Sequence, residues 1–314
     1  MRILILGAGI IGRTYAVHLH RAGLEVDLLV RERSYYKFHA FGIQVHNILN
    51  EKKLDVQIPL VTEERIQKIY DLVIVSVRLE QLESTFPFLL DLHPSTALLF
   101  MLNNIKNIDK LPDIFPNRKI LLGFPGLGGK YHEDTVEYLF VKQQKTTVGS
   151  LNEGDSDLAF KVKSMFEKSG FPTLIEKDMR SWLLTHAIFI TSLSAYIVKS
   201  QGSNIHLAKN RAAVKDWILT VSDGLKALQN AGFSITPKNI KTIFLKAPTW
   251  FALKYWQKYL QGEVTQYAIV PHALSAQTEM QNLSRDLLAI LKETKKPAPK
   301  LEIVLSDFIS KSEE

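Results

Sequence analysis

The sequence predicts an α/β protein: a mostly parallel β-sheet domain covered by helices, then a second, all-helical domain. Three observations carry that prediction. Short apolar runs alternate with helical patterns through the first half. The first of these runs ends in a glycine-rich turn that opens a helix. After Lys177 the strand pattern stops and amphipathic helices follow one another. The domains are therefore placed at residues 1–176 and 177–314.

Arg2–Leu6 reads as a buried strand, because it is a short apolar run bounded by glycine. Ile10–Arg21 follows as a helix, with Ile10, Tyr15, Val17 and Leu19 apolar, and Gly23 ends it. Glu25–Val30 is the second strand. Leu72–Val77, Ala97–Leu102 and Lys119–Gly123 are further continuous apolar runs, the pattern of strands covered on both faces. Thr135–Phe140 and Lys145–Ser150 are expected as strands at the far edge of the same sheet. A helix over Asp155–Lys168 and a short strand at Pro172–Ile175 complete the first domain. The second is expected to consist of helices at Met179–Lys199, Ala208–Ala231, Pro237–Tyr259 and Gln266–Glu293. A short helix, Leu301–Ser310, follows the basic, proline-bearing connector.

Composition narrows the function classes. Of 314 residues, 46% are hydrophobic and 23% charged, which argues for a folded chain rather than disorder. The absence of cysteine excludes a disulfide scaffold, a thiolate metal site and a cysteine nucleophile. No histidine–carboxylate cluster at metal spacing occurs, and His18 and His20 have no second ligand set. The apolar run Leu183–Val198 is too short for a comfortable membrane span and contains His186, so no membrane is expected. The N-terminal apolar run ends in glycines rather than a cleavage site, which favours a buried strand and a cytoplasmic protein. The net charge of +7 is dispersed along the chain, which argues against nucleic acid and leaves room for a phosphate-bearing ligand.

Gly7-Ala8-Gly9-Ile10-Ile11-Gly12 fits G-x-G-x-x-G in the context that gives the pattern meaning: after a strand, opening a helix, before a second strand. Gly7 permits the tight turn, Gly9 removes a side chain that would block a pyrophosphate, and Gly12 lets helix and sheet approach. The bland alternative is a Rossmann-like turn that binds nothing. The end of the second strand discriminates cofactors. An acidic residue there would hold the ribose hydroxyls of NAD, but this chain has Arg31-Glu32-Arg33. A guanidinium pairs with a 2′-phosphate, so NADP(H) is expected. The alternative leaves Arg31 and Arg33 solvated and gives the ribose to Glu32.

These motifs resemble the ketopantoate reductase (2-dehydropantoate 2-reductase) family. The resemblance rests on GAGIIG with LLVR, LVIVSVRLEQ, LNNI and GFPGLGG, and is closest over residues 1–150. It extends more loosely through the helical half, including Pro299. It implies a Rossmann domain, a helical second domain and NADPH-dependent reduction of ketopantoate to pantoate in pantothenate and coenzyme A synthesis. By resemblance Gly7, Gly9 and Gly12 match the phosphate turn, with Ala8, Ile10 and Ile11 between them, and Arg31 matches the 2′-phosphate arginine. Arg78 stands where the family has a lysine, and Asn103 matches an asparagine beside nicotinamide and substrate.

The helical half departs from the family pattern. Ser181–Ile188 keeps Trp182 but lacks the family's catalytic lysine and its asparagines, and the later glutamate motif is absent. Reducing a ketone needs a group that stabilises negative charge on oxygen and supplies a proton. His186, close to the missing lysine, is one candidate, since an ordinary imidazole titrates in a useful range; the alternative is a core histidine. His272, Ser275 and Glu279 fall at i, i+3 and i+7 on one helical face, with His272 as acid and Glu279 orienting it or the substrate; the alternative is a solvated stripe. Arg78 is a further candidate as an anion clamp, and Asn103 as a substrate-side hydrogen-bonding group. Trp182, Trp217, Trp250 and Trp256 are expected in the core or at an interface.

Three functions follow: a 2-oxoacid reductase of the ketopantoate type, a dehydrogenase for another oxoacid or hydroxyacid, or an inert NADP(H)-binding sensor. A homodimer is compatible with the helical half but not established by it.

Overall fold

A computed structural model describes residues 1–66, 69–142 and 144–310. The chain divides into two compact units. The first comprises Met1–Leu102 and Asp109–Met179; the second comprises Asn103–Ile108 and the chain from Arg180 onward.

The strands of the first unit are β1 (Arg2–Leu6), β2 (Glu25–Leu29), β3 (Ile43–Asn47), β4 (Lys52–Val56), β5 (Leu60–Val61) and β6 (Leu72–Val75). They continue with β7 (Ala97–Met101), β8 (Ile120–Phe124), β9 (Leu127–His132), β10 (Thr135–Phe140), β11 (Thr146–Ser150) and β12 (Thr173–Ile175). Its helices are α1 (Ile10–Arg21), α2 (Glu32–Phe41), α3 (Phe86–Asp91), α4 (Leu111–Ile114) and α5 (Ser156–Lys168).

Eight strands form the main sheet in the order β12-β11-β8-β7-β6-β1-β2-β5. All neighbours are parallel except β11 and β8. Strand order reverses across β1, which pairs with β2 on one side and β6 on the other. That is the switch point of a doubly wound sheet, where ligands bind beyond the carboxyl ends of the strands. The central strands are apolar along their length because both faces are covered: Ile3, Leu4 and Ile5 of β1 and Leu98 and Leu99 of β7 are inaccessible to solvent.

The edge assignment is corrected. Lys145–Ser150 was expected beside Thr135–Phe140 in one sheet, yet only β11 extends the main sheet. β10 belongs to a separate four-stranded sheet ordered β4-β3-β10-β9. β10 is half buried, with Val136 and Tyr138 on one face buried and Thr135 and Glu137 on the other partly exposed, and its ladder partners are β3 and β9. That buried face packs on α1, which the main sheet covers from the other side. Helix α1 is therefore enclosed, and residues from Gly12 to Val17 are all buried. Tyr15 stacks on Phe171 with centroids 4.0 Å apart. Its hydroxyl shares a 2.6 Å hydrogen bond with Thr146 Oγ1 of β11.

The second unit is helical among the described residues: α6 (Met179–Lys199), α7 (Asn204–Lys209), α8 (Arg211–Asn230), α9 (Lys238–Lys241), α10 (Thr249–Leu260), α11 (Val270–Leu274), α12 (Gln277–Thr294) and α13 (Pro299–Ser310). Helix α6 is the central element. It is 21 residues long, long and apolar enough by length and composition alone to cross a membrane, which corrects the shorter reading of this segment. Its apolar window is 83% buried inside the protein, as expected of a core helix. Trp217 of α8 is fully buried and donates through Nε1 to Ser192 Oγ of α6 at 3.2 Å.

Three long helices read from the sequence are interrupted. Asn210 precedes α8 and accepts from Ala213 N at 3.0 Å, so the chain restarts there instead of running on from Ala208. Pro248 separates a π-helical turn, Thr242–Lys246, from α10. A second π-helical turn, Thr265–Ile269, runs into α11 at Pro271. Then Ala276 leaves the helical region (φ −117°, ψ 33°) before α12 begins.

Candidate active site

The turn after β1 has the geometry of an anion cradle. Gly7 has φ +113°, a conformation that glycine alone adopts without strain, and a β-carbon there would lie 2.8 Å from Ser76 O. A β-carbon at Gly12 would lie 1.8 Å from Gly7 O, so helix and turn touch backbone to backbone. Gly9 differs: the nearest atom to a β-carbon there is the Tyr131 hydroxyl at 3.9 Å. The space over Gly9 is open. No side chain caps the N-terminus of α1, and its first turn carries no acidic residue. The free N–H groups of Ile10, Ile11 and Gly12 thus face a site suited to negative charge. Ala8 sits within the same turn, its carbonyl accepting from Arg13 Nε at 3.1 Å.

Two residues that support this turn escaped the sequence reading. Ser76, directly after β6, donates to Gly7 O at 3.2 Å and ties the two strands flanking the switch point. Arg13 is buried, with its guanidinium between the Phe38 and Tyr131 rings at 5.1 and 4.8 Å, and it also donates to Asp134 O at 2.9 Å. Ser76 immediately follows the apolar run and Arg13 immediately follows Gly12. Only the second sheet, which was not foreseen, explains why Arg13 is buried.

At the end of β2 the chain enters α2. Arg31 occupies the N-cap position and is exposed, as is Arg33. Among the described residues neither guanidinium makes an ion pair or hydrogen bond. Glu32, in contrast, accepts from Arg65 Nη2 at 3.0 Å. Arg78 is exposed beyond β6 and lies 3.8 Å from Glu80.

Asn103 and Asn104 lie in the short segment that belongs with the second unit. Asn103 is 8% exposed, and its side chain makes no hydrogen bond among the described residues. Asn104 is buried and accepts from Asn107 N at 3.2 Å, leaving its Nδ2 without a partner.

In the helical unit, His186 of α6 stacks on Trp182 with centroids 5.3 Å apart and planes within 9°. Burial, and to a lesser degree the neighbouring His272, push its pKa down to about 3. His186 is therefore neutral at physiological pH, which corrects the expectation that it carries a readily donated proton. The structure does bring His186 and His272, on α6 and α11, within electrostatic reach. The proposed single face of His272, Ser275 and Glu279 is also corrected. α11 ends at Leu274, Ser275 and Ala276 both turn back to Pro271 O, and Glu279 lies in the first turn of α12. His272 and Glu279 are each partly buried. Among the described residues no three His, Asp or Glu side chains form a metal-binding group.

A doubly wound sheet with an open glycine cradle at its switch point, in a chain that also carries a helical unit, has the architecture of a dinucleotide-binding protein. Residues 3–153 match the family described as ketopantoate reductase PanE/ApbA. A 2-dehydropantoate 2-reductase of Aquifex aeolicus is 23% identical over 310 residues, covering 97% of this chain and 94% of that protein. One from Pyrococcus abyssi is 22% identical and covers 85% of this chain and 91% of its own length. The crystal structure of a 2-dehydropantoate 2-reductase from Geobacter metallireducens shares the fold with a TM-score of 0.79 at 18% identity, covering 99% of this chain and 100% of that one. D-mandelate dehydrogenase, solved with NADH and anilino(oxo)acetate, does so with a TM-score of 0.78 at 17% identity, covering 100% and 99%. The family match takes in just under half of the chain, its sheet unit, while the similarity to 2-dehydropantoate 2-reductases runs along nearly all of it.

Proposed function

We propose that this protein reduces a 2-oxoacid with NADPH, with ketopantoate as the foremost substrate. The observation that carries the reading is the cradle at Gly7–Gly12, closed by backbone at Gly7 and Gly12 and open at Gly9. The pair Arg31 and Arg33 supports the phosphorylated cofactor, because two unengaged guanidinium groups stand where an NAD-preferring site places a carboxylate.

The bound nucleotide would supply hydride to the carbonyl carbon. The protein's part is to hold the pyrophosphate on the α1 amides, to polarise the carbonyl and to deliver a proton to its oxygen. His272 is the proposed acid, because His186 is held neutral. His186 retains an N–H for hydrogen bonding and, by staying uncharged, leaves room for a single positive charge on the histidine pair. Asn103, with its amide unengaged among the described residues, is the proposed substrate-side donor, and Glu279 orients the acid or the substrate.

NADPH oxidation followed by absorbance with ketopantoate tests the reading, and rapid turnover is the expected result. A second reading, reduction of another 2-oxoacid, is favoured by α6, which carries no lysine before Lys199 at its end. Turnover of a different member of a 2-oxoacid panel, with ketopantoate inert, would establish it. Tight NADPH binding without turnover of any member would instead identify a sensor.

A further inference from the structure

The sequence places an acidic residue between two arginines at the end of β2, and an acid there ordinarily favours the unphosphorylated ribose. We infer that Arg65 removes Glu32 from that competition and is therefore a specificity-determining residue for the adenosine end of the cofactor. The inference rests on the NADPH reading.

The geometry begins with the sheet. β5 is only two residues long, but it pairs in parallel with β2, Leu60 opposite Leu28 and Val61 opposite Leu29. Val30 N donates to Val61 O at 2.9 Å, so the register continues to the end of β2. The chain then turns through Glu63–Arg65, with Arg65 N donating to Thr62 O at 3.0 Å. This brings residue 65 beside the first turn of α2, where Glu32 lies. Arg65 Nη2 donates to Glu32 Oε1 at 3.0 Å. The guanidinium is steadied from another side by the Tyr35 ring, 5.0 Å from its centroid. Tyr35 itself packs against the core of the first unit.

The consequence is electrostatic. A free Glu32 would repel a 2′-phosphate and offer two oxygens to a ribose diol. Held by Arg65, one oxygen is occupied and the charge is matched. The β2 end then presents Arg31 and Arg33 without an opposing carboxylate. Both members of the pair are about half exposed, at 51% and 53%, so the effect is a bias on ligand choice rather than a support for the fold.

The experiment is calorimetric titration of NADPH and NADH into the wild type, Arg65→Gln, Glu32→Gln and the double variant, at low salt. Freeing Glu32 in Arg65→Gln should weaken NADPH roughly tenfold or more and leave NADH equal or tighter, as one charge a few ångströms from a phosphate dianion predicts in a mostly aqueous dielectric. In the double variant, removing the freed charge should return NADPH affinity to within about twofold of the wild type, with the residual difference set by weak surface pairing. Melting temperatures should agree among the four proteins. The inference is overturned if Arg65→Gln leaves the NADPH-to-NADH ratio unchanged. It is equally overturned if the double variant is as weak for NADPH as Arg65→Gln, because Arg65 would then meet the phosphate directly. A wild type with no preference for NADPH would instead refute the cofactor reading beneath it.

Discussion

Substituting Gly9 with alanine separates the two jobs of the glycine turn. Gly9 has φ −81°, which alanine adopts freely. The added β-carbon meets nothing closer than 3.9 Å. Alanine is a poorer N-cap than glycine, at a cost of up to about 1 kcal/mol, so the melting temperature should fall by no more than about 3 °C. The same β-carbon stands in the open space over the uncapped α1 amides. Losing two amide–phosphate hydrogen bonds, each contributing about 1.5–3 kcal/mol to a charged group, weakens binding by about 100-fold or more. NADPH and NADH should lose affinity alike, because the pyrophosphate is common to both. Gly12→Ala is the contrast: its β-carbon would lie 1.8 Å from Gly7 O, so the fold itself must shift and the melting temperature should drop sharply. The assays are thermal unfolding and calorimetric titration. A Gly9→Ala protein that binds NADPH as well as the wild type would refute the seating of the pyrophosphate on this turn.

Arg31→Ala should weaken NADPH by about tenfold or more through loss of a charge-assisted contact while leaving NADH nearly unaffected; equal losses in titrations of the two would sink the assignment. His186 has a folded-state pKa of about 3 against 6.5 when unfolded, so the unfolded chain takes up the proton first as pH falls. Its contribution is complete above pH 6.5 and is lost toward pH 3, with a limiting slope of about 1.4 kcal/mol per pH unit. Urea unfolding of the wild type and His186→Gln should show a stability difference that moves against the wild type on acidification; a pH-independent difference would contradict it. Tyr15→Phe removes the hydroxyl that meets Thr146 and should cost about 1 kcal/mol in urea unfolding, with NADPH affinity unchanged.

The order β1, turn, α1, β2 was legible because each boundary carries its own local signal: an apolar run, three glycines, a period near 3.6 and Gly23. Helix α6 was legible to the residue because its apolar face is broad and nearly uninterrupted. The second sheet was not, because β4 buries none of its residues, and Gly128 and Gly129 of β9 carry no side chains from which to read alternation. Assigning β10 to the wrong sheet was a failure of pairing rather than of strand recognition, since period-2 alternation says which side is buried and not against what. The supposed stripe from His272 to Glu279 failed for a similar reason: the spacing i, i+3, i+7 has meaning only on an unbroken helix, and Pro271 and Ala276 bracket a break. The pKa of His186 depends on partners distant in sequence, which no local pattern reports.

The enclosure of α1 also constrains how the chain is made. Val45 of β3 pairs with Val136 of β10, and Tyr138 supplies the hydroxyl that meets His18 Nε2 at 2.7 Å. During synthesis the helix and one half of its cover emerge early, while the other half follows some ninety residues later, at roughly 5–20 residues per second. Throughout that interval the face of α1 bearing Arg13 and His18 lacks its final neighbours. Newly made chains halted before β9 should therefore bind chaperones and hydrophobic dyes more strongly than chains released after β10.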